Sequence, residues 1–151
     1  MEWDDYSISV LEDKNPLGVV SMSAELRSYA NPTGSRLFVP LNLLSNYTVT
    51  PPRIRSRKNP FELRYERSYT DTITYFLPEG FWLESTMADF EIDTDFGSYI
   101  STVEVNDNKL IYIRYLERKA GYFPSERYNE YFEFWQTVNR ADSRQATFVR
   151  E

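Results

Sequence analysis

A mainly β fold, an antiparallel two-layer β-sandwich with one C-terminal α-helix over about residues 125–141, is the architecture this sequence predicts. Three observations predict it. Short segments alternate apolar and polar side chains with a period of two, and turn residues punctuate them throughout. One late segment alone repeats apolar residues at three- and four-residue steps. Strands that bury one face each need a second layer to cover them, which is the sandwich.

Taken in chain order, Met1-Glu2-Trp3-Asp4-Asp5-Tyr6 is acidic and polar and suggests an irregular N-terminal arm. It has neither the basic start nor the apolar run of a secretory signal. Residues 19–29 alternate, with Val20, Met22, Ala24 and Leu26 against Val19, Ser21, Ser23, Glu25 and Arg27. The turn-rich Asn31-Pro32-Thr33-Gly34-Ser35 follows and leads into Leu37-Phe38-Val39, so a hairpin between these two segments is expected. Pro51-Pro52 and Asn59-Pro60 interrupt the next stretch.

Residues 69–77 form the clearest strand, with Ile73, Tyr75 and Leu77 on one face and Thr70, Thr72 and Thr74 on the other. Pro78-Glu79-Gly80 ends it, and residues 81–84 resume briefly as an extended segment. Residues 90–96 place Phe90, Ile92 and Phe96 inward. Residues 98–105 and 110–118 flank Asn106-Asp107-Asn108-Lys109, a tight-turn signal. The second arm carries Leu110, Tyr112 and Leu116 on one face and Ile111, Ile113 and Tyr115 on the other. A strand apolar on both sides belongs in the middle of a sheet.

The helix is expected to start at Ser125 as cap after Pro124, with Glu126 in its first turn. Tyr128, Tyr131, Phe132, Trp135 and Val138 form its apolar stripe, and it should end near Arg140-Ala141-Asp142. Residues 145–149 are the last strand.

Composition removes whole classes of chemistry. The 151 residues suffice for one domain, expected to span 1–151 with residues 1–58 supplying its N-terminal strands. The chain has no Cys and no His, so a thiol nucleophile, an imidazole base, a disulfide and thiolate or imidazole metal ligation are all excluded. No cofactor is expected: neither Gly-x-Gly-x-x-Gly nor a phosphate loop is present, and Gly97 and Gly121 read as backbone requirements. A net charge of −6 argues against nucleic acid as partner, and no apolar run reaches the roughly 20 residues that span a bilayer. The sequon Asn46-Tyr47-Thr48 reads as accidental.

Several turn-associated motifs occur in a distinctive order. Asn59-Pro60-Phe61-Glu62-Leu63 precedes Phe76-Leu77-Pro78-Glu79-Gly80-Phe81, then Thr94-Asp95-Phe96-Gly97-Ser98-Tyr99, Ala120-Gly121-Tyr122-Phe123-Pro124, and Tyr128 with Tyr131 and Phe134. In this order, residues 59–151 resemble the C-terminal domain of unknown function that follows the core in transglutaminase-like proteins of Gram-negative bacteria. A looser likeness surrounds Arg36-Leu37-Phe38-Val39-Pro40-Leu41-Asn42. That family's enzymatic core would use a Cys-His-Asp triad, none of which can be carried onto a chain lacking Cys and His. The resemblance implies an accessory module, periplasmic or extracellular, whose partner is the transglutaminase-like domain upstream in the same polypeptide.

Two constellations invite chemistry. Asp89, Glu91, Asp93 and Asp95 fall on one face of the 90–96 strand, and seven acids with no Lys or Arg run from Glu84 to Asp107. A solvated face that discourages edge pairing accounts for this. A complementary basic surface would too, and Arg53, Arg55 and Arg57, with Lys58, form an alternating ladder suited to it. A Ca²⁺ site is the third account, although no Asp-x-Asp-x-Asp-Gly loop is present. Trp82 and Tyr122 either fill the core or, sitting beside turns, are presented to a glycan or peptide, whereas Tyr128, Tyr131 and Trp135 at helical spacing are core. The expected function is a non-catalytic accessory module that packs against or positions the transglutaminase-like core. The alternatives are a carbohydrate- or peptide-binding module and, third, a carboxylate-only hydrolase.

Overall fold

The computed structural model describes residues 2–25, 29–43, 45, 50–85, 88–106 and 109–150. The sequon 46–48, the turn residues Asp107 and Asn108, and Leu26 and Arg27 lie outside the described residues. The chain divides into two compact units, Met1–Asn31 and Pro32–Glu151.

The first unit is a hairpin of β1 (Glu2–Leu11) and β2 (Leu17–Glu25). Tyr6 faces Met22 and Ile8 faces Val20 across the ladder, while Ser7 faces Ser21. One face of the hairpin is therefore apolar and the other rich in serine. The irregular arm expected here is instead a regular strand, and β2 pairs with it rather than with residues 37–39. The reason is local: Tyr6, Ser7, Ile8, Ser9 and Val10 alternate as strictly as β2 does, so the two form a matched pair.

In the second unit, β3 (Asn31–Thr33) and β4 (Arg36–Pro40) are joined by the turn at Gly34-Ser35. Gly34 takes φ +62°, a conformation that favours glycine. With β7 (Phe81–Leu83) and β12 (Gln145–Arg150) they form an antiparallel sheet in the order β3-β4-β12-β7. A second four-stranded antiparallel sheet runs β6-β10-β9-β8, from β6 (Arg67–Phe76), β8 (Phe90–Thr94), β9 (Gly97–Asn106) and β10 (Lys109–Arg118). The short strands β5 (Phe61–Leu63) and β11 (Gly121–Phe123) pair with each other. Mainly β, with several antiparallel sheets and one C-terminal helix, the fold is consistent with the expected sandwich. No described helix is long and apolar enough to cross a membrane.

β10 lies inside its sheet, between β6 and β9, as its two apolar faces require. The register Asn106↔Lys109 leaves two residues for the hairpin turn. At the other end of β9, Thr94 and Gly97 close a tight turn around Asp95 and Phe96. The Thr94 hydroxyl accepts the Phe96 amide at 3.2 Å and donates to the Gly97 carbonyl at 3.0 Å. This turn pushes Phe96 into the core, against Phe123 at 4.8 Å and Tyr131 at 5.6 Å between ring centroids. Gly97 is needed for close approach: a Cβ there would lie 2.2 Å from the Glu117 carbonyl oxygen of β10.

The helix α1 (Tyr128–Asp142) follows a single 3₁₀ turn, Ser125–Arg127. Ser125 does not cap it. The amides of Arg127 and Tyr128, which a capping side chain would accept, donate instead to the backbone carbonyls of Pro124 and Ser125. The expected stripe is otherwise present, with Tyr128, Phe132, Trp135 and Val138 buried and Tyr131 half-buried. Phe134, Ala141 and Asp142 are buried as well.

Asp142 at the helix end meets Arg114 from the middle of β10. Arg114 is 0% exposed and Asp142 2%. Arg114 Nε donates to Asp142 Oδ1 at 2.7 Å and Nη2 to Oδ2 at 3.0 Å, a bidentate fork. Nη1 reaches Asp71 of β6 at 3.0 Å. The Tyr99 hydroxyl donates to Asp142 at 2.8 Å and lies 3.2 Å from the Tyr112 hydroxyl. Burial works against the charge on Arg114, but the bonds and charge of Asp142, with Asp71 beyond it, more than offset it and the pKa ends above its ordinary value. Burial, then the bond with Tyr112 and the Asp142 charge, hold the Tyr99 hydroxyl protonated far above the usual phenol range. Tyr112 shifts the same way, again chiefly through burial.

Three outcomes test this fold. Arg114→Met, which leaves Asp142 buried and unpaired, should cost about 3–5 kcal/mol in urea unfolding, and Arg114→Met with Asp142→Leu should recover much of that loss. Gly97→Ala should cost about 1–3 kcal/mol or more, since backbone must move to admit the methyl. Above about pH 10 tyrosines of the unfolded chain ionise while Tyr99 and Tyr112 keep their protons in the fold. The folded state then binds more protons, so stability falls with rising pH, by up to about 1.4 kcal/mol per unit for each. Phenolate absorbance should show both residues ionising only with unfolding.

Candidate functional site

The strand beneath the acidic ladder ends at Thr94, so it carries two of the four acids on its outer face. Glu91 and Asp93 point outward from β8, with Asp89 and Asp95 exposed just beyond its ends. β8 is an edge strand, and a row of carboxylates on an edge repels a further strand. Two of the four acids are paired. Asp93 accepts from Lys119 Nζ at 2.7 Å and from the Ser98 hydroxyl at 2.5 Å, and these bonds, Lys119's first, hold its carboxyl below the ordinary range. The same bond raises the pKa of Lys119. Asp95 accepts from Arg127 Nη2 at 3.0 Å, and Arg127 also holds Glu130 at 2.8 Å. Its pKa is raised by Glu130 and then Asp95.

The basic ladder does not meet the acidic one. Residues 53–57 form no strand; they run as loop and turn, so Arg53, Arg55 and Arg57 have no common sheet face. Arg57 lies over the rings of Tyr128 at 4.7 Å and Phe61 at 5.4 Å, and its Nε donates to the Asn59 carbonyl at 2.9 Å. Arg53 lies over Phe132 at 5.7 Å. The pairing of facing ladders within the chain is thus corrected: aromatic rings of the α1 region attract two of these guanidiniums, and nearer cations serve the acids. Among the described residues, no three acids gather as a metal-holding group.

Trp82 is 41% exposed and Tyr122 71% exposed. Both stand on short strands rather than on loops. Trp82 is the outward residue of β7, opposite Val149, and Tyr122 the outward residue of β11, opposite Glu62. They belong to different sheets, so the structure does not assemble them into one platform. The alternation that turns Phe81 and Leu83 inward, and likewise Phe123, is what turns these two rings out.

Two concavities lie elsewhere. A shallow groove beside α1 is lined by Asp95, Arg127, Glu130 and Glu133, with Asp95 and Glu130 sharing the Arg127 guanidinium. A cavity of about 300 Å³ is lined by Arg64, Arg67, Arg118 and Lys119, with the single acid Glu62, against Tyr131 and Trp135. Sequence reasoning missed this cationic cluster. Its signal was Arg118-Lys119 closing one strand and Arg64 to Arg67 opening another, legible only once those ends are known to be neighbours.

The family model of DUF3858, a domain of unknown function with a solved structure, matches residues 35–148. The match reaches further toward the N-terminus than the motif order over 59–151, taking in β4 and the segment after it. Neither the curated proteins nor the solved structures matched the chain. With three quarters of its length inside that match, the chain belongs to the DUF3858 family of domains of unknown function.

Proposed function

We propose that this domain is a non-catalytic accessory module of a longer, exported polypeptide, following a transglutaminase-like core and packing against or positioning it. The observation that carries the reading is how the polar groups are spent. Among the described residues, the charges buried in the core are Arg114 and Asp142, which are bonded to each other and tie sheet to helix. A catalytic group must instead be free to change its protonation or partner during the reaction. The motif order shared with C-terminal domains of transglutaminase-like proteins supports the location and the partner. Periplasmic or extracellular residence, and one domain over residues 1–151, belong to the same proposal. Glu91 and Arg55, both exposed and of opposite sign, are each suited to contact with the neighbour.

The reading expects the coding frame upstream to encode a segment with Cys and His, and that segment to co-purify with this domain. Glu91→Lys and Arg55→Glu should weaken the co-purification while changing unfolding stability by no more than about 0.5 kcal/mol. Bond-making or bond-breaking by the purified domain alone would sink the proposal.

The exposure of Trp82 and Tyr122 favours a second reading, a carbohydrate- or peptide-binding module, since exposed rings stack on sugar faces and on extended chains. On that reading Trp fluorescence shifts on titration with a glycan panel, and Trp82→Ala abolishes the shift. An unchanged spectrum across the panel would remove the glycan arm.

A further inference from the structure

We propose that the cationic cavity between β5, β6, β10 and α1 is a binding site for a carboxylate carried on an apolar or aromatic group. This inference stands apart from the accessory reading and from the exposed Trp82 and Tyr122. In a chain of net charge −6, four cations gather around one cavity of about 300 Å³. Two of them are already matched: Arg64 with Glu62 at 3.3 Å, and Lys119 with Asp93 at 2.7 Å. The other two, Arg67 and Arg118, face each other as direct partners in the β6–β10 ladder. Like charges directly opposite in a sheet repel. Among the described residues neither has an ion-pair partner, and the neighbouring Glu117 turns to the other face, where it accepts from Ser98 at 3.3 Å.

Arg67 is exposed and Arg118 half-buried, so water screens this repulsion only in part, and an anion would offset the remainder. A carboxylate seated between Arg67 and Arg118 would do so, because a guanidinium offers it a planar fork of donors. The remaining wall defines the rest of the ligand. Trp135 is buried beneath the Arg118 guanidinium, 5.6 Å from its ring, and Tyr131 is half-buried beside it. With Leu63 and Phe96 also in the lining, this part of the cavity is apolar and aromatic, and Glu62 in the same lining opposes a second negative charge. A free organic acid and the C-terminal carboxylate of a peptide ending in an apolar residue present this same chemistry.

The test uses the whole chain and three probes: benzoate, N-acetyl-phenylalanine and its neutral carboxamide. Saturable amide shifts at Gly97 and Arg118, and at the Trp135 indole, are expected with a carboxylate probe and not with the carboxamide. Binding to benzoate alone identifies a small-acid site, and binding to N-acetyl-phenylalanine alone a peptide-end site. Arg118→Gln and Arg67→Gln should each weaken binding by about tenfold or more, the effect of losing a charge-assisted bond. In the ligand-free protein Arg67→Gln should raise the urea midpoint, because it relieves the opposed charges, and a lowered midpoint would mark a structural pair instead. Equal binding of the carboxamide, unaltered affinity in both variants, or no saturable shift with either carboxylate into the millimolar range overturns the proposal.

Discussion

A guanidinium taken out of water must recover in its fixed partners what it loses in hydration, and Arg114 sets that condition at the centre of this fold. Its strand, β10, is the inner strand of its sheet, and the side chains above and below it on the buried face, Leu110, Tyr112 and Leu116, are apolar. The charge can be held only if Asp142 arrives from α1, Asp71 from β6 and Tyr99 from β9 with their acceptors and rings in register. Apolar packing alone would let α1 slide or rotate on the sheet at modest cost. A bidentate bond between two buried charges does not, since a shift of one turn would strand both.

Around that anchor the aromatic residues form one cluster. Phe61, Phe96, Tyr99, Phe123, Tyr128, Phe134 and Trp135 pack together with Leu116, Val138 and Ala141. The aromatic members come from β5, the β8–β9 turn running into β9, β11 and α1, and Leu116 comes from β10, so separate pieces of chain meet in one place. The motifs whose order suggested a family, Pro-Phe at 60–61, Phe-Gly-x-Tyr at 96–99, Gly-x-x-Pro at 121–124 and the aromatic steps from Tyr128, each contribute to this cluster. Their spacing is a packing constraint. Gly97 belongs with them because Phe96 can turn inward only where β9 passes close to the Glu117 carbonyl.

What was legible in the sequence follows from which interactions are local. The alternation in β6, β8 and β10, the two-residue reach of the β9–β10 hairpin and the stripe of α1 are properties of consecutive residues, and each is present in the fold. Partner choice is not local. Residues 37–39 alternate poorly and lie in β4, between β3 across a tight turn and the distant β12, so nothing nearby announces that Phe38 will face Thr147. Nor does anything near Arg114 name Asp142. The clue available was a charged residue at a position of β10 whose neighbours two away on either side are apolar, which demands an ion partner without identifying it. The site residues divide the same way. The outward turn of Glu91 and Asp93 was readable, whereas the exposure of Trp82 and Tyr122 on short strands and the pairing of the acids with Lys119 and Arg127 rather than with Arg53, Arg55 and Arg57 were not.

The distribution of charge shows why those pairings arise. The edge strand β8 needs carboxylates facing water to stay an edge, and any cation nearby is drawn to them. Lys119 lies just before β11 and Arg127 between β11 and α1, and both reach that edge to neutralise Asp93 and Asp95. Arg53 and Arg57, lying over the rings of Phe132, Tyr128 and Phe61, are held by aromatic faces instead. Once these matches are made, the acids left unpaired lie dispersed over solvated faces, whereas exposed Arg67 and half-buried Arg118 are left opposite each other in the lining of a cavity. Folding can disperse excess negative charge over a surface at little cost; two cations fixed in one ladder step have no such freedom, and the imbalance stays where the strands put it.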